Sequence, residues 1–325
     1  MDIGILYNLT EETLRSSGKD QLADLDVLET ANAVEAMLEA NGHHASTINF
    51  YESGFTGLRA YDAVFNLTER VAGSELGVVK ITDWMERNGI PFCGESARTL
   101  AWSENKALAK RILNRNGLPS AHYQVFGDAT NLCTHLNFPL IVKPLHEDGS
   151  LGINENSVVQ DHAELAQRVR EILNLYRQPA LVEEYIDGRE IHAAVLGNID
   201  NLRIFPLVET VFHTQPGVPR IVSYDAKWVP GSPAWQHVQP GCLANLDDEL
   251  EGEIQRLAAR FYRAFDCRCY TRIEFRLRGR IPYVLEVNPN PCISPHGSSF
   301  LTSAEYAGFS FEAVMNEILE TSPLQ

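Results

Sequence analysis

Several features common to other protein classes are missing from this sequence of 325 residues. No apolar run approaches the ~18 residues that a bilayer-spanning helix needs, so we expect no membrane segment. The N-terminus carries an acid, Asp2, where a secretory signal would carry basic residues. We find no internal repeat and no low-complexity tract. The sequence therefore predicts a globular protein of the cytoplasm.

Basic residues are scarce relative to acidic ones. The chain has 27 Lys and Arg against 43 Asp and Glu, which gives a net charge of −16. Such a surface repels a phosphate backbone, so we expect no nucleic-acid partner. A nucleotide can still bind where local cations and Mg²⁺ outweigh the overall charge. Small molecules are therefore the partners that the charge favours.

Cysteines are few and scattered. Of the six, only Cys267 and Cys269 lie close together in the sequence. No second pair completes the four ligands of a structural zinc site. We therefore expect free cysteines in a reducing compartment.

The chain is long enough for two or three domains of about 100–200 residues each. In residues 1–95, predicted strands alternate with predicted helices, which indicates a parallel α/β sheet. The strands are expected at 2–7, 45–50 and 61–67, and the helices at 25–40 and 75–87. We expect this region to be a first α/β domain.

Two further regions follow. A central domain over 96–187 begins with a helix at 105–116, for which Ser103 is a plausible N-cap. The third region, 188–325, has long alternating strands, one of them expected at 202–208. Within it, residues 213–245 are rich in Pro, Gly and Ser and look like a long loop. Loops of that length are uncommon and often act as lids.

The strongest chemical signal is a predicted hairpin over 272–288. By the two-residue period of a strand, Arg272, Glu274 and Arg276 share one face of its first strand. Glu286 and Asn288 share one face of its second strand. These carboxylate and amide oxygens are ligands that suit Mg²⁺. Taken alone, the pattern also fits a solvent-exposed hairpin face with ordinary charges.

Three weaker signals accompany the hairpin. A predicted strand delivers Lys143 to a loop with Gly149, Ser150 and Gly152, whose backbone N–H groups can contact phosphate. A second apolar strand runs into acids and an Asp-Gly turn at 183–190. Lys106 begins a helix, where the helix dipole disfavours a cation. Each signal alone also fits an ordinary surface turn or a solvated side chain.

In order and content, these segments resemble the ATP-grasp superfamily and, within it, D-alanine–D-alanine ligase. The resemblance covers about residues 1–320 and is strongest over 106–288. It implies three α/β subdomains, with ATP held between the central and C-terminal ones. It also implies a ligase that forms a C–N bond and releases ADP, and family members often form homodimers.

The resemblance implies an ATP site on two sets of residues. The phosphates would meet Lys106, Lys143, Gly149, Ser150, Gly152 and Lys227. The adenosine would meet Glu183, Glu184, Ile186 and Glu190. In the family, an acid at the position of Glu183 contacts the adenine amino group, and one at the position of Glu190 binds the ribose.

The resemblance also implies a catalytic centre. Two Mg²⁺ ions, or Mn²⁺ in their place, would be held by Glu274, Glu286 and Asn288. The catalytic groups would be Arg272, Lys227 and Ser150, with Arg272 stabilising the tetrahedral intermediate. The carboxylate of the second substrate would dock on His296, Gly297, Ser298 and Ser299.

The substrate half departs from the family pattern. The N-terminal Gly-Gly-x-Ser-x-Glu, whose Glu holds the first substrate's amine, is missing, and Glu11, Glu12 and Glu69 are the acids that could replace it. Trp228 stands where a tyrosine is usual, and Cys292 where a glycine helps to form the oxyanion site. We therefore expect ATP and Mg²⁺ to bind, and D-alanine not to be the substrate.

Four functions remain open from the sequence. The first is a ligase that joins an amino acid to an activated carboxylate in specialised metabolism. The second resembles ligases that build mycosporine-like amino acids, in which an amino acid and an enaminone give an imine. The others are a D-alanine–D-alanine ligase and a nucleotide-binding protein without activity. All three predicted metal-ligand positions are kept, which argues against the last.

Overall fold

The computed structural model describes residues 1–9, 21–69, 77–130, 132–295 and 297–322, and its N-terminal region is built on a parallel sheet. The strands β1 (Asp2–Tyr7), β2 (His44–Asn49), β3 (Ala63–Asn66) and β4 (Phe92–Cys93) lie in the order β2-β1-β3-β4. Helices α1 (Gln21–Ala40), α2 (Phe50–Gly57) and α3 (Gly77–Arg87) alternate with them, and a 3-10 turn at Leu58–Ala60 follows α2. The predicted alternation of strand and helix is confirmed. The strand expected at 45–50 lies one residue earlier, at His44–Asn49, because Asn49 accepts from Tyr51 N as the cap of α2 and Phe50 begins that helix.

The central sheet is antiparallel. Strands β5 (Tyr123–Phe126), β6 (Leu140–Pro144), β7 (Val158–Val159) and β8 (Ala180–Glu184) lie in the order β5-β8-β6-β7. Helices α4 (Ala97–Glu104) and α5 (Lys106–Arg115) precede the sheet, and a 3-10 turn at Glu155–Ser157 and α6 (His162–Leu175) lie within the same region. Helix α6 packs buried apolar side chains against the sheet, among them Leu165, Val169 and Ile172.

The helix that carries Lys106 begins at a different cap from the expected one. Ser103 lies inside α4, where its hydroxyl donates to Leu100 O at 2.8 Å. Asn105 caps α5 instead, because its side-chain oxygen accepts from Leu108 N at 2.9 Å. Lys106 is thus the first residue of α5, as predicted.

The C-terminal sheet is the largest of the three. Its strands are β9 (Glu190–Asn198), β10 (Asn201–Ile204), β11 (Val208–Phe212), β12 (Val238–Leu243), β13 (Tyr270–Arg278) and β14 (Ile281–Pro289). They run in the order β12-β11-β9-β13-β14, and β10 pairs with β9. The helices are α7 (Tyr224–Trp228), α8 (Pro233–Gln236), α9 (Asp248–Ala264), α10 (Ser299–Tyr306) and α11 (Phe311–Thr321).

Two predictions about this region are wrong in detail. The strand expected at 202–208 is two strands, β10 and β11, because Pro206 lies between them and has no N–H to donate to a sheet. Residues 213–245 are not an uninterrupted loop, since they contain α7, α8 and β12, and β12 pairs with β11.

The three sheets lie within the predicted ranges 1–95, 96–187 and 188–325, while the division into domains at those boundaries stays a prediction. No helix in the described ranges has both the length and the apolar character that crossing a bilayer requires. The six cysteines are all free, in agreement with the sequence.

Strand β9 shows how the cores are arranged around this sheet. Ile191, Ala193 and Val195 point to one face and pack in the core beneath α9. On the opposite face, Ala194 and Leu196 pack in a second core with the N-terminal sheet, α10 and α11. Glu190 and His192 belong to the same face as Ala194 by the two-residue period. One face of β9 therefore changes along its length from polar to apolar.

Glu95 joins the N-terminal region to the start of β13 in the C-terminal sheet. It is fully buried, and its carboxylate accepts from Arg268 N at 2.8 Å, Cys269 N at 3.3 Å and Thr271 Oγ1 at 2.8 Å. Burial raises the pKa of Glu95 to about 7, even though these donors lower it. The start of β13 is thus fixed by one side chain from the loop after β4.

We predict that Glu95→Ala lowers the free energy of unfolding by about 2–4 kcal/mol, because it leaves three buried donors without an acceptor. Glu95→Gln keeps one acceptor oxygen and should cost about 1 kcal/mol. Urea denaturation at pH 8, where the parent carboxyl group is ionised, measures both. Equal losses in the two variants would show that the hydrogen bonds are not what stabilises this junction.

Candidate active site

A cleft lies between the central and C-terminal sheets. Lys143 on β6 and Glu183 on β8 line it from the central side. Glu274 on β13 and Glu286 on β14 line it from the other side. Nine of the predicted site residues meet in this cleft: Lys106, Lys143, Ser150, Glu183, Glu184, Ile186, Glu190, Glu274 and Glu286.

The β13–β14 hairpin sets the positions of the predicted metal ligands. Glu274 lies directly opposite Glu286, and Arg272 opposite Asn288. A register shift follows Glu274, so that Leu285 is an extra residue on β14 and also lines the cleft. The predicted common face for the carboxylates is thus present, and the bulge lies beside it.

These carboxylates are held by cations. Glu274 accepts from Arg272 Nη2 at 2.8 Å and from Asn288 Nδ2 at 2.9 Å. Glu286 forms an ion pair with Lys106. Burial raises the pKa of Glu274, but the opposing influences, of which the Arg272 guanidinium is the largest, together outweigh burial and the net pKa is lowered. Burial likewise lowers the pKa of Lys106, but Glu286 outweighs it and the net pKa is raised.

The residues predicted to bind Mg²⁺ provide two carboxylates, Glu274 and Glu286, and one amide, Asn288. Within the described ranges, no three His, Cys, Asp or Glu side chains are grouped so as to hold a metal by themselves. Glu274, Glu286 and Asn288 supply hard oxygen atoms next to one another, as their contacts show. Mg²⁺ is often held by one or two carboxylates and completed by phosphate oxygens and water. The residues present fit such a shared site.

Glu183 is the most deeply buried acid of the cleft wall. Its side chain is 2% exposed and forms ion pairs with Lys110 and, at 2.5 Å, with Lys143. Burial raises its pKa, but Lys110 and Lys143 outweigh that effect and lower the pKa to about 2. Glu183 Oε2 is the oxygen that faces the Lys143 ammonium, and within the described chain it has no other hydrogen-bond donor. An acceptor oxygen beside a lysine is therefore available to a ligand in the cleft.

Glu190 is held in a similar way on β9. It lies opposite Arg276 on β13 and forms an ion pair with it at 2.6 Å. Burial raises the pKa of Glu190, but the opposing influences, of which the Arg276 guanidinium is the largest, outweigh burial and lower the pKa to about 2. Glu184 differs, since its carboxylate accepts from Asn137 Nδ2 at 3.1 Å at the rim. Both acids line the cleft, as predicted.

The glycine-rich loop is covered by a short segment, residues 220–228, which we call the lid segment. Ser150 Oγ donates to Val222 O at 2.7 Å, and Trp228 Nε1 donates to Gly149 O at 2.8 Å. Gly149 and Gly152 have φ of 57° and 75°, and Ser150 between them has φ of 66°. The Lys227 ammonium lies 4.8 Å from the centre of the Trp228 ring. The lid segment is therefore closed on the glycine-rich loop.

The chain was compared with known families and proteins. Residues 112–320 match the sequence model of the D-ala D-ala ligase C-terminus. A D-alanine–D-alanine ligase of Syntrophobacter fumaroxidans is 32% identical over 73% of this chain and 73% of that protein. An uncharacterised protein of Sinorhizobium fredii is 34% identical over 81% of this chain and 75% of that protein.

The chain belongs to the D-alanine–D-alanine ligase family.

The fold agrees with this membership. A crystal structure of the D-alanine–D-alanine ligase from Bacillus anthracis complexed with ATP gives a TM-score of 0.76 at 21% identity. That match covers 99% of this chain and 97% of the other. The ATP-grasp fold predicted from the sequence is confirmed. D-alanine–D-alanine ligases use ATP and Mg²⁺ to form a C–N bond, and they release ADP. This chain is a ligase of that type.

The predicted carboxylate site of the D-alanine–D-alanine ligase family falls on the turn before α10. His296 lies outside the described residues. Gly297 N donates to Ser294 O at 3.2 Å, and Ser298 Oγ accepts from Leu301 N at 3.1 Å as the cap of α10. Ser299 is the first residue of α10. Gly297, Ser298 and Ser299 do not line the cleft described above.

Two residues of the site were not predicted as ligands or partners. Lys110 follows Lys106 by one helical turn, and that spacing of four could have indicated a common face. Asp26 on α1 contacts the residue at the predicted oxyanion position, since Cys292 Sγ donates to its Oδ2 at 3.2 Å. No local pattern links Asp26 to Cys292, because 266 positions separate them.

We predict that Glu286→Gln lowers the rate of ADP formation by about 10²-fold or more, because it removes a charge that phosphoryl transfer depends on. The measurement is ADP release by a coupled assay, with folding checked by circular dichroism. Glu253→Gln is the matched control, since Glu253 belongs to an exposed ion pair with Arg256 on α9. Near-normal turnover in Glu286→Gln would place the metal site elsewhere.

Proposed function

We propose that this chain is a Mg·ATP-dependent ligase that joins the amine of an amino acid to a phosphate-activated carboxylate and forms an amide in specialised metabolism. The observation that carries the proposal is the contrast between the two halves of the site. The nucleotide half has Lys106 and Lys143 together with several carboxylates in one cleft. The substrate half has Cys292 and Asp26 in contact, where the family pattern has a glycine.

The Lys143–Glu183 pair supports recognition of adenine. A cation and a carboxylate oxygen lie side by side at 2.5 Å on the wall of the cleft. The edge of adenine offers an acceptor, N7, beside a donor, the N6 amino group. Glu183 would accept from the amino group, and Glu190 from a ribose hydroxyl. Guanine has an acceptor oxygen in place of the amino group, so it would face the Glu183 carboxylate unfavourably.

When bound, ATP and Mg²⁺ would supply the phosphoryl group that activates the acceptor and the charge that neutralises it. We place two Mg²⁺ ions, or Mn²⁺, on Glu274, Glu286 and Asn288. Lys106, now paired with Glu286, would be freed to contact phosphate. Lys143 and Lys227 would provide two more cations to the phosphates, next to the backbone of Gly149, Ser150 and Gly152.

The same residues would act during amine attack. Arg272 has its guanidinium at the side of Glu274 and would stabilise the charge that develops on the acceptor. The lid segment, closed through Ser150 and Trp228, would exclude water from the activated acceptor. The carboxylate of the amino acid would dock on the turn at His296, Gly297, Ser298 and Ser299.

The acceptor end constrains the substrates. Burial raises the pKa of Cys292 to about 12, with Asp26 and Glu69 adding to the shift. The thiol is therefore protonated at neutral pH and donates to Asp26 instead of acting as a nucleophile. Two carboxylates thus lie near this end although the N-terminal motif has changed, so an ammonium group of the acceptor has partners there. Asp26 would hold an ammonium in a position that the family motif does not provide.

The test is ADP release with a panel of amino acids, singly and in pairs with carboxylic acids, followed by mass spectrometry of the product. We expect release only with an amino acid plus a different acceptor, and a product whose mass is the sum of the two minus water. An imine product with an enaminone acceptor would favour the mycosporine-like alternative. D-alanyl-D-alanine from D-alanine alone would defeat our substrate assignment, and no ADP with any pair would defeat ligase activity.

Assembly and location rest on the sequence alone. The family often forms homodimers, and we propose the same here. We also propose a cytoplasmic location, which the free cysteines favour.

A further inference from the structure

His192 is a buried histidine that the proposed chemistry does not use. It lies on β9, is 5% exposed and does not line the cleft. Across the sheet it lies directly opposite Glu274 on β13. By the two-residue period it follows Glu190 on the same face. His192 therefore lies between the acid proposed for the ribose and an acid proposed for the metal.

The two ring nitrogens of His192 have unequal surroundings. Nε2 lies 2.9 Å from Thr210 Oγ1 and 3.5 Å from Glu190 Oε1. Nδ1 lies 3.9 Å from Glu274 Oε1 and has no hydrogen-bond partner within the described chain. A neutral imidazole has one donor and one acceptor nitrogen. If the Thr210 hydroxyl donates to Nε2, the hydrogen is on Nδ1 and faces Glu274.

Glu274 Oε1 is shared among several donors. Arg272 and Asn288 both donate to this one oxygen. Both residues have other proposed tasks, Asn288 on the metal and Arg272 on the acceptor. Once Arg272 turns to the acceptor, Oε1 loses its charged donor, and a buried carboxylate oxygen that has lost a donor is unfavourable. Nδ1 needs to approach by only roughly 1 Å to reach an ordinary hydrogen-bond length.

We propose that His192 is a positioning residue whose Nδ1–H holds Oε1 of Glu274 and so turns the other carboxylate oxygen towards the metal. This inference rests on the proposed function, because it takes Glu274 as a metal ligand. Partners of this kind orient a metal ligand without touching the metal, and their loss typically lowers metal affinity by roughly 10-fold to 100-fold.

The test compares three substitutions in the full chain. Asparagine places an amide N–H near the position of Nδ1, whereas glutamine places it near Nε2. Leucine fills the space without a donor. The readout is the dissociation constant of Mn²⁺ in the presence of ADP, from electron paramagnetic resonance of free Mn²⁺. Binding of a fluorescent ADP analogue without metal reports the nucleotide site separately, and thermal melting reports folding.

We expect His192→Leu and His192→Gln to weaken Mn²⁺ binding by roughly tenfold or more, and His192→Asn to stay within about twofold of the parent. Metal-free nucleotide binding should change by less than about twofold in all three variants, since His192 does not line the cleft. Parent-like Mn²⁺ affinity in folded His192→Leu would overturn the inference and leave the proposed function standing. Equal weakening in all three variants would also overturn the inference, because it would mean that His192 contributes through packing and not through a hydrogen bond. Absence of ADP-dependent Mn²⁺ binding in the parent would overturn the metal site itself.

Discussion

Four of the acids that line the cleft each form an ion pair with a lysine or an arginine. Lys106 at the start of α5 meets Glu286 on β14, and Lys143 on β6 meets Glu183 on β8. On the C-terminal sheet, the remaining acids pair with arginines of β13: Glu190 with Arg276 and Glu274 with Arg272. A buried charge is costly unless a partner of opposite sign and hydrogen bonds compensate it. Of these four pairs, Lys106–Glu286 joins the central region to the C-terminal sheet, whereas the other three hold charged groups in place within one sheet.

The same pairs explain how an acidic protein can bind a polyanion. With a net charge of −16, the surface as a whole repels phosphate. Inside the cleft, lysines and arginines neutralise the acids locally, and bound divalent ions would add further positive charge. Both lysines that face the cleft, Lys106 and Lys143, now have carboxylate partners that a metal ion or an adenine could take over. Ligand binding therefore requires these charged groups to exchange partners more than it requires additional charged groups.

Much of this architecture follows from local patterns. The two-residue period placed Glu274, Glu286 and Asn288 on one face, and the structure brings them into contact across β13 and β14. The same rule could not show the extra residue at Leu285, because a bulge depends on how the two strands pair. Pro206 could have divided the strand expected at 202–208, since proline cannot donate in a sheet.

Other features depend on contacts between distant segments. His192 faces Glu274 only because β9 and β13 are neighbours in the sheet. In the sequence, the two residues are about 80 positions apart. Asp26 meets Cys292 only through packing of α1 near the end of β14. The roles of the nucleotide residues could be predicted through the family resemblance, whereas the substrate end could not, because there the chain departs from the family.

A crystal structure with ADP and Mg²⁺ tests the central claim, exchange of charge partners in the cleft, most directly. The account predicts that Glu286 leaves Lys106 to bind a metal ion, that Lys106 Nζ contacts a phosphate oxygen, and that Glu183 accepts from the adenine amino group. A nucleotide bound in the cleft with the Lys106–Glu286 pair intact and no metal on Glu274 or Glu286 would contradict it.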